Sequence, residues 1–486
     1  MNKLRILLLM VVIASGFAIL TPQTATAESF TLHQTLRRVM LTYPTVEIAR
    51  LQARRAQQDI IRARSVLGWN LGGQVGANHD LSQFSGTPSD TANLSAELSR
   101  QLASGGTIGL GGSYNYVDSS FSFGPTFPNP SRLARVDANY RKPLAKGTGN
   151  PLYNEGLKSA KAGERIARAN EQSVRDGLAT QTIELFYLAA LIQAQMETAK
   201  DAVARARKLK SFIRRNERLG LSEEKDLLQA EAQLQARIAD YDSLVTTWEQ
   251  QRTLINRLLG RPRGAEFTPV LHDKDGSVDS DIDSILEQAK AYSPDLHRQL
   301  AQIEIAESQL VTSKDLARST IDLVLGLGYG NRQGPAIPPV NQSDYAAGVR
   351  LEFHKALDNS GNEAVVTQAM LDRSIALREA ERIRDDVKYN VTGLIAGIRK
   401  TNISLASQRR RVIVERKKVD EAFQRYRSGR TDTTQLILFE NDYQIGKLAR
   451  ERHRIELLRQ HASLELLRGI LLQDAMMPAV GNKGEK

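Results

Sequence analysis

The 486-residue sequence has no cysteine. Disulfides, thiolate metal sites and a lipid-modified N-terminal cysteine are therefore excluded. Proline is missing from two long stretches, between Pro151 and Pro262 and between Pro339 and Pro478. Nothing of that kind breaks a helix there. After the N-terminal segment there is no second run of 18 apolar residues, so no transmembrane helix is expected. Catalytic signatures are absent as well. The 7 histidines are scattered without a His-Glu-x-x-His pair, and no serine sits in a nucleophile elbow. No phosphate-binding loop occurs, because Gly105–Gly112 lies in a strand pattern rather than before a helix. Asp385-Asp386 sits on a charged helix face, where solvation is the default. The expectation is a chain that is not an enzyme and holds no metal or cofactor.

What is present begins with an export signal. Lys3 and Arg5 precede an apolar run from Ile6 to Leu20, and Ala25-Thr26-Ala27 follows at the distance a signal peptidase reads. Residues 1–27 read as a signal peptide cut after Ala27. The formal charge is +11, and removing Lys3 and Arg5 leaves 11 − 2 = +9. The 66 basic residues are mixed with 55 acidic ones, the pattern of solvated helix faces rather than a nucleic-acid footprint. The densest basic cluster, Arg409–Arg411 with Arg416-Lys417-Lys418, is interleaved with Val412, Ile413 and Val414 at helical spacing.

The rest reads as one unit built twice: short helix, proline break, helix, strands, very long helix, glycine turn, long helix. Thr31-Leu32-His33-Gln34 is a candidate capping box for the first helix, which stops at Tyr43-Pro44. The second copy stops its first helix at Ser293-Pro294. Period-two alternation marks four strands in the first copy, around Trp69–Asn78, Asn93–Ser99, Thr107–Tyr116 and Ala134–Arg141. It marks two in the second, around Ile321–Tyr329 and Asp344–Phe353. Such alternation fits a membrane barrel with lipid outside and water inside, and fits an ordinary half-buried sheet equally. Helices are expected over 157–219, 222–259, 363–427 and 431–472. Leu227, Leu234, Tyr241, Trp248 and Ile255 recur every seven residues, as coiled-coil packing requires. Pro44 to Gly220 is longer than Pro294 to Gly429 by 41 residues, 176 against 135. The additional hairpin about Leu81–Val117 accounts for nearly all of it, with Leu81–Asp90 and Asp118–Arg132, long and rich in Gly, Pro, Ser and Asn, expected as loops.

With the strand end Tyr140-Arg141-Lys142-Pro143-Leu144 and the turns Arg218-Leu219-Gly220-Leu221 and Arg425–Arg430, the chain resembles the TolC-like outer-membrane efflux proteins. The likeness covers essentially all of its length after the signal peptide. The carrying feature is the order, spacing and twofold recurrence of these elements. The resemblance implies an α+β membrane protein: a duplicated unit with a long coiled-coil α-helical tunnel and an antiparallel transmembrane β-barrel shared by a homotrimer. It implies a passive duct in a tripartite efflux or type I secretion system, partnered by a periplasmic adaptor protein, an inner-membrane pump and outer-membrane lipid. The first repeat would span 28–270, with strands at about 69–142 and a helical hairpin at 155–260. The second would span 271–474, with strands at about 320–353 and a hairpin at 361–473, leaving 475–486 as a tail.

By the same resemblance, Leu219, Gly220, Leu221, Ser428, Gly429 and Arg430 form adaptor-contacting tips. Asp226, Tyr426, Thr431 and Gln435 stand at the periplasmic gate, with an Asp226–Tyr426 contact as its latch. Thr431 occupies the family's arginine position, and Gln435 and Leu438 occupy its acidic ones, so a carboxylate ring is not expected. Members of the family contribute four strands per chain. Six here leave two possibilities, a wider barrel of 18 strands or a hairpin decorating one of 12. A soluble periplasmic coiled-coil scaffold is the competing reading.

Overall fold

A computed structural model describes residues 29–81, 88–120, 124–272 and 281–477. The proposed signal peptide and most of the proposed tail lie outside them. The chain forms two compact units, each assembled from separated stretches of sequence.

The unit made of residues 1–43, 177–285 and 391–486 is mostly helical among its described residues. It opens with β1 (Ser29–Phe30) and α1 (Leu32–Thr42). The anticipated capping box forms: the Thr31 N–H donates to Gln34 Oε1 at 2.9 Å, and the Gln34 N–H to Thr31 Oγ1 at 3.3 Å. That satisfies two N–H groups the helix cannot bond itself.

The proline-poor stretches fold as expected into long helices. The helix α3 (Pro151–Arg218), which follows α2 (Pro44–Ser65), has 68 residues and is about 100 Å long. Its partner in the first hairpin is α4 (Glu224–Leu258). Leu234 and Ile255 of the seven-residue stripe are buried, as are Ala230 and Leu258 beside it. Beyond α4, β6 (Thr268–Pro269) pairs in parallel with β1. Phe267 stacks on Phe30 at 5.5 Å and meets Phe186 edge-on at 6.3 Å, joining the ends of the first stretch to the middle of α3.

The other unit, residues 44–176 and 286–390, carries the sheet. Its strands are β2 (Trp69–Leu81), β3 (Pro88–Gln101), β4 (Thr107–Ser119) and β5 (Ser131–Pro143). After α5 (Ile282–Tyr292) and α6 (Pro294–Leu316) come β7 (Thr320–Gly334) and β8 (Val340–His354). All six anticipated strands are present, and each runs longer than its clean alternation. The ladders continue to Leu81↔Pro88 and Ser89↔Ser119, into segments expected as loops. The six form one antiparallel sheet in the order β2-β3-β4-β5-β7-β8. The additional hairpin β3–β4 is therefore a central part of the sheet.

Alanines fill the helix contacts of this unit, among them Ala162, Ala301, Ala306, Ala376 and Ala380, all buried. Small side chains let helices approach closely, and polar ties fix the register. Gln299 donates to the Ala376 carbonyl at 2.8 Å, and Arg373 meets Glu307 at 3.0 Å. Tyr292 donates to Asp176 Oδ1 at 2.8 Å. Burial raises the Asp176 carboxyl above its ordinary value, against hydrogen bonds from Tyr292 and Gln172 that pull it down.

The second long hairpin is α7 (Ser360–Arg427) and α8 (Thr433–Leu467). One helix was expected to continue to Leu472. Instead Gly469 adopts φ 77° and breaks it, and α9 (Ile470–Met476) turns to pack on α1. The reason is the αL stop: the Gly469 N–H bonds the Leu466 carbonyl at 2.9 Å, and Leu471 and Leu472 are buried once the chain turns.

Phe267 is 1% exposed at the centre of its aromatic cluster. Phe267→Ala should destabilise the protein by about 3–5 kcal/mol, read as a lower urea midpoint. A shift equivalent to less than about 1 kcal/mol would show that the cluster collapses around the gap.

Candidate functional site

The two hairpin turns have the same backbone chemistry. At the first, the Gly220 N–H bonds the Glu217 carbonyl at 2.9 Å and the Leu221 N–H bonds the Asn216 carbonyl at 2.8 Å. At the second, Gly429 bonds Tyr426 at 3.1 Å and Arg430 bonds Arg425 at 2.9 Å. This is the Schellman pattern, which needs a left-handed residue after the helix. Gly220 and Gly429 supply it with φ 68° and 69°. The turns differ in what they present. Leu219 and Leu221 are exposed apolar side chains, whereas Ser428 and Arg430 are polar, and the Ser428 hydroxyl donates back to the Arg425 carbonyl at 3.0 Å.

Each second helix is capped at its start. Asp226 Oδ2 accepts from the Glu223 N–H at 3.4 Å, and Asp432 accepts from the Gln435 N–H at 2.7 Å. Thr431 donates to the Gln435 side chain, so two of the four residues expected at the gate touch. Tyr426 packs against Phe212 at 6.0 Å, and its hydroxyl accepts from Thr433 Oγ1 at 3.0 Å. Among the described residues no hydrogen bond joins Asp226 to Tyr426 within one chain.

Further from the turns, the hairpins are tied by polar side chains that no local motif announced. Arg205 of α3 donates to Glu440 at 3.0 Å and to Gln444 at 2.9 Å, both on α8. Gln444 in turn donates to the Thr198 carbonyl at 3.0 Å, and Lys447 meets Asp201 at 3.1 Å. Arg237 of α4 contacts Asn441. A cavity of about 200 Å³ lies among these helices, lined in part by Ala202, Ala206, Leu209, Phe423, Leu436 and Ile437. The partners of Arg205 stand 235 and 239 residues away. Only an arginine and a glutamate at facing helical positions could have hinted at them.

The sheet is the second feature with functional content. Leu71, Leu98, Leu110, Ala138, Leu327 and Ala347 face one another in a single row across all six strands. Val75, Val136, Tyr345, Val349 and Phe353, on the same face, are each more than 60% exposed. The opposite face is polar and charged. Arg141 meets Asp322 at 2.8 Å and Glu352 at 3.0 Å there. Strand direction puts the starts of β2, β4 and β7 and the ends of β3, β5 and β8 at one edge. The helices α2, α3, α6 and α7 join the sheet at that edge. No helix among the described residues is long and apolar enough to cross a membrane.

Lys210 of α3 pairs with Glu231 of α4, and with Gln235 it holds the Glu231 carboxyl below the ordinary range. A depressed carboxyl contributes stability above its unfolded value and loses it as pH falls through the folded one. Acidification through that range should therefore speed amide exchange in the first hairpin near residue 231. Glu231→Gln should remove that pH dependence and leave the second hairpin unchanged.

Comparison of the sequence with family models and with curated proteins yields no match. The solved structures do yield matches. The outer-membrane channel OprN is similar with a TM-score of 0.66 at 16% identity, over 90% of this chain and 89% of that one. The outer membrane protein VceC of Vibrio cholerae is similar at 0.65 and 13%, over 92% and 95%. CusC, described in terms of transmembrane channel formation, is similar at 0.66 and 12%, over 92% and 91%. This chain has the fold of the TolC-like outer-membrane channels.

Proposed function

We propose that the chain is the outer-membrane channel of a tripartite efflux or type I secretion system, a passive exit duct rather than an enzyme. The observation that carries this reading is the apolar face six strands wide. It stands bare on a single chain, with charge on the opposite face. Water is a poor solvent for so broad an apolar surface, and lipid is a good one. Passive conduction asks nothing of acid–base or nucleophilic groups, and energy would come from the pump.

On this reading three copies share one barrel and one helical tunnel. Residues 28–270 and 271–474 are two copies of an ancestral unit, preceded by a signal peptide at 1–27 and followed by a tail at 475–486. The turns at Leu219-Gly220-Leu221 and Ser428-Gly429-Arg430 face the periplasm and receive the hairpins of an adaptor that links the channel to an inner-membrane pump. Asp226, Tyr426, Thr431 and Gln435 lie beside those turns and hold the periplasmic end closed. Tyr426 is supported there by the Thr433 hydroxyl at 3.0 Å.

Fractionation tests the main statement. The protein should stay with the outer membrane through osmotic shock, need detergent for extraction, and then run as three chains by light scattering. Release by osmotic shock as a monomer would establish the soluble scaffold instead. Within the channel, Gly220→Val and Gly429→Val force a β-branched residue into a left-handed turn. Transport should fall in both while export and assembly persist, and unchanged transport in both would remove the tips from adaptor binding. Tyr426→Phe deletes one hydroxyl contact of about 0.5–1.5 kcal/mol. Single-channel conductance in a planar bilayer should rise or become noisier, and conductance equal to the parent's would count against a gate at Tyr426.

A further inference from the structure

We propose that the hairpin β3–β4 is part of the membrane wall, so that three copies of this chain close a barrel of eighteen strands. The inference rests on the outer-membrane reading above and deepens it. Six strands per chain in three chains gives 6 × 3 = 18.

Three observations carry it. The first is pairing. The strands β3 and β4 are interior to the sheet, in register with β2 from Leu81↔Pro88 to Trp69↔Arg100 and with β5 from Val117↔Ser131 to Thr107↔Arg141. A decorating hairpin would leave β2 beside β5. Here those two strands are separated by the whole hairpin, and removing it would strip β2 of its one partner and β5 of one of its two. In lipid an unsatisfied backbone group costs several kcal/mol.

The second is facing. The apolar row passes through the hairpin at Leu98 and Leu110 without changing side. The parallel row on the other face reads Gly72, Glu97, Gly111, Asp137, Gly328 and Ala346. A Cβ on Gly111 would stand 2.9 Å from the Asp137 carboxylate, so the glycine leaves that acid room on the polar side. The hairpin thus continues both the lipid-facing and the water-facing surfaces of its neighbours.

The third is parity. A unit of six antiparallel strands ends with β2 and β8 running in opposite directions. The free edge of β8 can then pair antiparallel with the free edge of β2 in the next copy. Those edges are well matched in length, 13 and 15 residues. Adding one strand would have forced a parallel seam and a connection on the wrong side of the membrane. Adding two preserves both. The short link at residues 102–106 lies at the helix-joined edge, where barrels place their tight turns.

The geometric consequence is a wider exit. With strands about 4.8 Å apart and tilted by about 40°, the backbone radius rises from about 12 Å for twelve strands to about 18 Å for eighteen. Glycine and serine at Ser95, Ser99, Gly109, Gly111 and Ser113 add little bulk to the polar side. The barrel is then no filter for cargo size, and selection is left to the helical end.

The absence of native cysteine makes the test clean. Single cysteines at Leu94, Ser95, Leu98 and Ser99 of β3 and at Leu110 and Ser113 of β4 are introduced into the full chain in outer-membrane vesicles. Cysteines at Val349 and Arg350 of β8 serve as the reference pair. Reaction with a charged, membrane-impermeant maleimide should be at least about tenfold faster at Ser95, Ser99, Ser113 and Arg350, as a lipid-shielded face requires. A bimane at Leu94, Leu98, Leu110 and Val349 should be quenched by brominated lipid. Alternation in β8 with equal aqueous reactivity on both faces of β3 and β4 would overturn the eighteen-stranded wall and leave the channel standing. Alternation in neither would overturn the channel reading, and the wall with it.

Discussion

The backbone of a sheet cannot be left half bonded where there is no water, and for a sheet proposed to lie in lipid that constraint outweighs any single side-chain contact. Within one chain the sheet has two bare edges, β2 and β8, and a bare apolar face. An isolated chain satisfies neither in lipid. The proposed trimer answers both demands together, because closing the sheet on itself removes edges while turning the apolar face outward. The long helices meet a different requirement. They cover one another in water, so their stripes are narrow, their contacts are often alanine, and much of their specificity is polar.

The physical signals in the sequence were strongest where one residue type has one structural use. Period-two alternation located all six strands of the sheet because a slip of one position would exchange its apolar and polar faces. Prolines marked the breaks at Tyr43 and Ser293, and glycines marked both hairpin turns, since no other residue takes a left-handed conformation without cost. Strand ends were less legible. Segments rich in Gly, Pro, Ser and Asn around 81–90 and 118–132 read as loops, yet pairing with a neighbour carried the strands into them. The break at Gly469 was hidden inside an apolar run, Leu466 to Leu472, which suits a continuing helix equally well. The two-residue pair β1–β6 has no periodicity to detect.

Side-chain partnership was the least legible level. Placing Asp226 and Tyr426 beside the tips followed from the family resemblance, aligned on the glycines. Their actual partners within the chain, the Glu223 N–H and the Thr433 hydroxyl, depend on rotamers and on which helix faces which. Arg205, Glu440 and Gln444 carried no local mark, because charged residues on helix faces are usually solvated. Only the folded arrangement brings an arginine and two acceptors together across 235 or more residues of sequence.

The polar character of those ties bears on mechanics. Two helices held by leucine seams resist separation because parting them exposes oil to water. Two held by Arg205–Glu440, Arg205–Gln444 and Lys447–Asp201 expose groups that water accepts readily. The polar part of the work of prying such hairpins apart is sensitive to ionic strength, since mobile ions compete for every charge released. The apolar side chains Leu436 and Ile437, buried beside these ties, add a part of the hold that salt does not weaken.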